Sequence, residues 1–112
     1  MSADAFYFCY GVQRTIDSRD ESSIELLELK KHPWQILAQK YKLRISWGET
    51  ADEQNIFVLI SKQIYHLGAE GASEFTLKSA DAMRTAIETD VLLKEAGFHD
   101  EAAWHFQYVP DY

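Results

Sequence analysis

Residues 55–67 read Asn55-Ile56-Phe57-Val58-Leu59-Ile60-Ser61-Lys62-Gln63-Ile64-Tyr65-His66-Leu67, and the fold class turns on them. The unbroken apolar run Ile56–Ile60, rich in β-branched residues, predicts a strand that is apolar on both faces and therefore lies inside a sheet. Ser61-Lys62-Gln63 predicts a tight polar turn, and residues 64–67 a returning strand. Upstream, residues 43–48 (Leu-Arg-Ile-Ser-Trp-Gly) alternate apolar and polar side chains, the pattern of a half-buried strand. Glu49–Glu53 supplies the turn between them, so residues 43–67 predict a three-stranded meander.

The two ends of the chain add strands to this centre. Residues 5–16 are dominated by aromatic and β-branched residues, with Phe6, Phe8, Tyr10 and Val12 on one face and Ala5, Tyr7, Cys9 and Gly11 on the other. Both faces are largely apolar, which suits a central strand covered on both sides or lying in an oligomer interface. Trp104–Val109 predicts a last strand with Trp104, Phe106 and Tyr108 on one face. Nine of the 15 aromatic residues fall in residues 6–10 and 98–112, so both terminal strands are expected inside the sheet and next to each other. Glu74–Leu77 is a candidate for a short additional edge strand.

Helical signals lie between the strands. Ser22-Ser23-Ile24-Glu25 offers a capping box, with Ser22 as the cap, but residues 24–30 read as helix or strand equally. Pro33 closes that element and suits the first position of a helix over residues 33–43, with Trp34, Leu37 and Tyr41 as its apolar stripe. The clearest helix is Ala80–Ala96, with Ser79 as N-cap and Asp81 in the first turn. Met83, Ile87 and Val91 recur every fourth residue as its expected core stripe. Gly97 ends this helix in the left-handed conformation, with Phe98 folding back on Leu93. The expected architecture is a single α+β domain over residues 1–112, a mainly antiparallel sheet of about five strands with two helices packed against it.

Bulk composition narrows the function classes. The chain has 112 residues, 46% of them hydrophobic, within the range of one globular domain and outside that of disordered or fibrous chains. No apolar stretch approaches the roughly 20 residues of a membrane-spanning helix. The N-terminus begins Met1-Ser2-Ala3-Asp4 without a basic region, and a cytoplasmic location is the expectation. The lone Cys9, in the run Phe6–Tyr10, excludes an intrachain disulfide and reads as a small buried hydrophobe.

The formal charge of −7 is unevenly distributed: −4 over residues 1–29, +5 over residues 30–44 and −8 over residues 45–112. An acidic chain repels nucleic acid over most of its surface, so nucleic-acid binding is confined to Lys30, Lys31, Lys40, Lys42 and Arg44. His32, His66, His99 and His105 lack zinc-ligand spacing, and no serine lies in a nucleophile elbow. No catalytic residue, metal site or cofactor is expected. Cys9 with His105 is the one nucleophile–base pair that neighbouring terminal strands would create.

Two functions are compatible with this pattern. The first is a small, acidic, non-enzymatic protein-binding or regulatory module of the inhibitor, immunity or adaptor type. It would hold a basic protein partner through turn acids and aromatics: Asp52, Glu53, Glu70, Glu74, Asp100, Glu101, Asp111 and Tyr112. The alternative is a small-ligand-binding domain or small enzyme, its pocket between sheet and helices lined by Tyr7, Tyr65, His66, Trp104 and His105. The two apolar faces of the first strand add a homodimer to the expectations.

Overall fold

The computed structural model describes residues 5–50, 52–68, 74 and 76–109. The elements run β1 (Ala5–Asp17), α1 (Glu21–Glu28), α2 (Pro33–Lys40), β2 (Arg44–Glu49), β3 (Asn55–Gly68), α3 (Ser79–Ala96) and β4 (Ala103–Val109). The strands form one antiparallel sheet in the order β2-β3-β1-β4. This is the split βαβ order, in which β3 lies between β1 and β2 and β1 between β3 and β4.

The sheet has four strands where about five were expected, and the difference lies in Ser61-Lys62-Gln63. The chain does not turn back there. β3 runs on for 14 residues, and its register against β1 steps from Gly11↔Ser61 to Cys9↔Ile64. One extra residue is thus accommodated in β3 as a bulge. Ser61, fully buried, holds it: its hydroxyl donates to the Tyr10 carbonyl at 2.6 Å and accepts from the Gln63 amide at 3.2 Å. Ser-Lys-Gln lacks the Asn-Gly or Gly-X chemistry of a two-residue hairpin turn, which is why a bulge forms instead. No strand forms at Glu74 or residues 76–78, and Phe75 lies outside the described residues. Of the terminal strands, β1 is central and β4 is its neighbour, but β4 stands at an edge of the sheet.

The bulge also reverses side-chain parity along β3. Ile56, Val58 and Ile60 share a face with Val12, Arg14 and Ile16 of β1; beyond the bulge, Tyr65 and Leu67 take over that face, opposite Phe8 and Phe6. The three helices cover this first face. Leu27, Ala38, Leu93, Ala96 and Phe98 pack there with Val12, Ile16, Val58 and Ile60 to form the main core.

The second face carries a separate core of Cys9, Phe57 and Leu59, flanked by Tyr7, Ile64 and Val109. It is buried because the sheet bends over on itself. Tyr7 lies eight positions along β1 from Thr15, the partner of Phe57, about 26 Å in a straight strand. The Tyr7 and Phe57 ring centroids are nevertheless 6.4 Å apart. Gln107, level with Tyr7, donates to Gln13 at 2.7 Å, and a Cβ placed on Gly48 of β2 would lie 3.4 Å from a Val109 methyl of β4. The bend has Gly11 at its inner side, where a Cβ would come within 2.1 Å of the Ile60 carbonyl oxygen. The second apolar face of β1 is thus covered from within the chain.

Residues 24–28 are helical, and the cap of α1 is Asp20 rather than Ser22: its carboxylate accepts from the Ser23 amide and hydroxyl. His32 caps α2, with Nδ1 accepting from Trp34 while Gln35 accepts from the His32 amide. Ser79 is the first residue of α3 rather than its cap, and Lys78 precedes it with no side-chain cap bond. All three helices end in Schellman motifs, with left-handed Lys30, Lys42 and Gly97. The closing amides are Lys31 to Leu26, Leu43 to Ala38 and Phe98 to Leu93.

Candidate binding surface

The turn acids are dispersed, and two of them are structural. Asp52, in the β2–β3 turn, accepts from the Gln54 amide at 3.0 Å and from Thr50, whose hydroxyl holds the carboxyl below the usual carboxylate range. Glu53 follows in the left-handed conformation. Asp100 forms a two-pronged pair with Arg14 at 2.8 and 2.9 Å, and the guanidinium lowers its pKa. Arg14 is itself set between the rings of Trp34 and Phe98, 5.0 and 4.9 Å from their centroids. Glu101 is exposed beside Asp100. Glu74 precedes α3, which spans about 27 Å before it reaches Gly97, so Glu74 stands apart from this group. Glu70, Asp111 and Tyr112 lie outside the described residues.

The five residues expected to line one pocket fall on opposite faces. Tyr7, His66 and His105 are on the inner face, where Tyr7 stacks on His66 at 5.0 Å and His105 Nε2 lies 3.1 Å from the Gly11 carbonyl. Tyr65 and Trp104 are on the helix-covered face, in register with Phe8 and Tyr10. Cys9 stands opposite His105 in the ladder but has no exposed surface, and burial pushes its thiol up to about 12. It is a core residue and not a thiolate nucleophile. Among the described residues, no group of three His, Cys, Asp or Glu is placed to hold a metal ion, and no helix is long and apolar enough to cross a membrane.

The exposed side of α3 is the reverse of the sequence expectation. Met83, Ile87 and Val91 do not face the core: they are 67%, 61% and 52% exposed, while Thr89, Leu93 and Ala96 are buried. Small residues let α3 approach the sheet closely, and the bulky stripe is displaced to the opposite side of the helix. Polar ties hold this orientation on both flanks. Tyr10 donates its hydroxyl to Asp90 at 3.0 Å, and Lys62 pairs with Glu88. A usable signal was present in the sequence: the Leu93–Phe98 contact of the Schellman ending puts Leu93 inward, and a residue two positions away on a helix points nearly opposite.

A second apolar row lies on β4. Trp104, Phe106 and Tyr108 share one face of this edge strand and are 38%, 58% and 38% exposed. Phe6, Phe8 and Tyr10 support the row from β1: Phe8 stacks on Trp104 at 5.2 Å, and Phe6 packs 5.5 Å from Phe106. Tyr10 joins the two rows, its ring edge-on to Trp104 at 5.3 Å and its hydroxyl on Asp90 of α3. Asp90 and Glu95 of α3 and Glu101 before β4 add acids on this side, while Asp81 and Glu88 are paired with Arg84 and Lys62, and Lys94 is the further base of α3.

The five bases of residues 30–44 lie around α1, α2 and β2, whereas Lys62, Lys78, Arg84 and Lys94 lie on or beside α3. Lys30 and Lys42 are the left-handed caps of α1 and α2, Lys40 lies 5.5 Å over the Tyr41 ring, and Arg44 opens β2. Comparison with protein-family models, curated proteins and solved structures returns no match. The split βαβ order hosts unrelated activities and does not by itself indicate one.

Proposed function

We propose that this chain is a non-enzymatic protein-binding module that holds a basic partner on the surface formed by α3 and β4. The observation that carries this reading is the pair of adjoining exposed rows, Met83-Ile87-Val91 and Trp104-Phe106-Tyr108. Large apolar and aromatic side chains grouped on one side of a small domain are the usual anchors of protein contacts, and scattered surface residues do not form rows. Acids around the rows and the charge of −7 favour a partner of opposite sign and steer its approach. Relative to the sequence expectation, the contact surface moves from the turn acids to the α3–β4 side, keeping Glu101 and taking in Trp104, which was expected in the pocket instead. An inhibitor, immunity protein or adaptor all work in this way.

The test pairs Ile87→Asp with Phe106→Asp. Both side chains are more than half exposed, so the double variant is expected to keep the wild-type thermal midpoint within about 3 °C. It should lose retention of basic proteins on a column bearing the immobilised chain, and wild-type retention should fall between 50 and 300 mM salt. Equal retention by wild type and variant would overturn the reading.

A further inference from the structure

A groove of about 380 Å³ opens between α1, α2 and β2, away from the α3–β4 surface. Its floor is apolar: Leu27, Ala38 and Leu43 are almost fully buried, and the half-buried Ile45 and Trp47 form the β2 wall. The volume falls within the range of small-molecule sites, roughly 300–1,000 Å³. Lys30 lines the mouth, with Glu28 as the one acid on the described lining. Five of its nine described lining residues, Lys30 among them, fall in the segment that carries +5 over residues 30–44.

The backbone supplies a second, independent observation. Lys30 and Lys42 sit at the left-handed position of the two Schellman motifs that bound the groove, with φ of 59° each. Glycine occupies that position at no steric cost, as Gly97 does in α3, whereas a side chain there is strained. The α1 end therefore gives up stability and places Lys30 on the groove, and at the α2 end Lys42 precedes the lining residue Leu43. Stability given up locally is characteristic of functional positions.

We infer that this groove binds a small anionic amphipath, a carboxylate with a flat apolar body. The body would lie on Leu43 and Ile45 against the Trp47 ring, with its carboxylate at Lys30. Lys30, the one base on the described lining, decides the head group, and the apolar floor and indole wall decide the body.

Naphthoate is the probe, followed by amide and indole NMR signals of the whole chain, with the neutral isostere naphthalenemethanol alongside. The expected result is saturable shifts at Trp47, Leu43 and Ile45, with naphthoate binding at least fivefold tighter than the alcohol. Lys30→Gln, which keeps a side chain at the left-handed position, should erase that preference and leave the alcohol's affinity unchanged. Lys30→Gly should do the same while raising the thermal midpoint by about 3–6 °C. Absence of shifts at millimolar naphthoate, shifts centred elsewhere, equal affinity for the two probes, or a preference that survives Lys30→Gln would each overturn the inference. Neither probe is expected to alter retention of basic proteins, so this result stands or falls apart from the α3–β4 proposal.

Discussion

Gly11 shows how one position can set the shape of a sheet. It is buried at the inner side of the bend, and any side chain there meets the backbone oxygen of Ile60 rather than a movable group. Gly11→Ala is expected to cost about 3 kcal/mol, read as a large fall in the thermal midpoint; an unchanged midpoint would show that the strand does not bend there. His32 is a second such position, because the cap of α2 depends on Nδ1 as an acceptor. Burial lowers its pKa, so the fold prefers the neutral ring. The stability tied to His32 is complete above its unfolded pKa of about 6.5 and is lost as pH falls from there through the lower folded value. The thermal midpoint should therefore drop between pH 7 and 5, and His32→Asn, which caps without titrating, should flatten that drop. Asp17, held at about 2 by Arg19, acts in a separate window below pH 4, so the two contributions are separable in a pH scan.

Among the elements, α3 sets the exposed apolar surface by its orientation. Its buried face includes Thr89, a fully buried residue whose hydroxyl has no hydrogen-bond partner among the described residues. Thr89→Val keeps the shape and removes the unpaired hydroxyl, and is expected to stabilise the fold by about 1 kcal/mol. The same change on an outward face would be neutral, so the thermal midpoint of this variant checks which way α3 is turned. The sequence made α3 legible in length and in its Gly97 ending, but not in its facing. Three regularly spaced apolar residues look like a core stripe, and only the sheet decides that a layer of alanine, threonine and leucine fits more closely. In β3 the central apolar run was legible, whereas the bulge was not: a polar triplet between two apolar runs signals a turn unless a partner strand continues past it. The β1 alternation was legible throughout, because no residue is inserted into that strand. Tyr65 and His66, like Trp104 and His105, are consecutive in a strand and so emerge on opposite faces, a separation that the period-two alternation already implies.

At the scale of the whole molecule, bending and charge act together. The bend closes the inner face with Cys9, Phe57 and Leu59, the helices close most of the outer face, and the exposed apolar rows of α3 and β4 remain. The charge of −7 then distinguishes two kinds of occupant. Association with a basic protein should weaken as salt rises, whereas pairing of two copies, each of the same sign, should strengthen. Sedimentation at 50 and 300 mM salt should show the isolated chain no more associated at the lower salt, and the basic complex more so.

Site-specific photo-crosslinking reads out contact at the α3–β4 surface itself. A benzophenone amino acid would replace Phe106 in one variant and Ile36 in another. Ile36 is a comparably exposed residue of α2, at 57% against 58%. In extracts of the source cells, position 106 should yield a discrete adduct with a basic protein, suppressed by excess wild-type chain and by 300 mM salt, while position 36 yields none. Adducts of equal yield and pattern from both positions, or none from position 106, would contradict the assignment of the α3–β4 surface as the binding site.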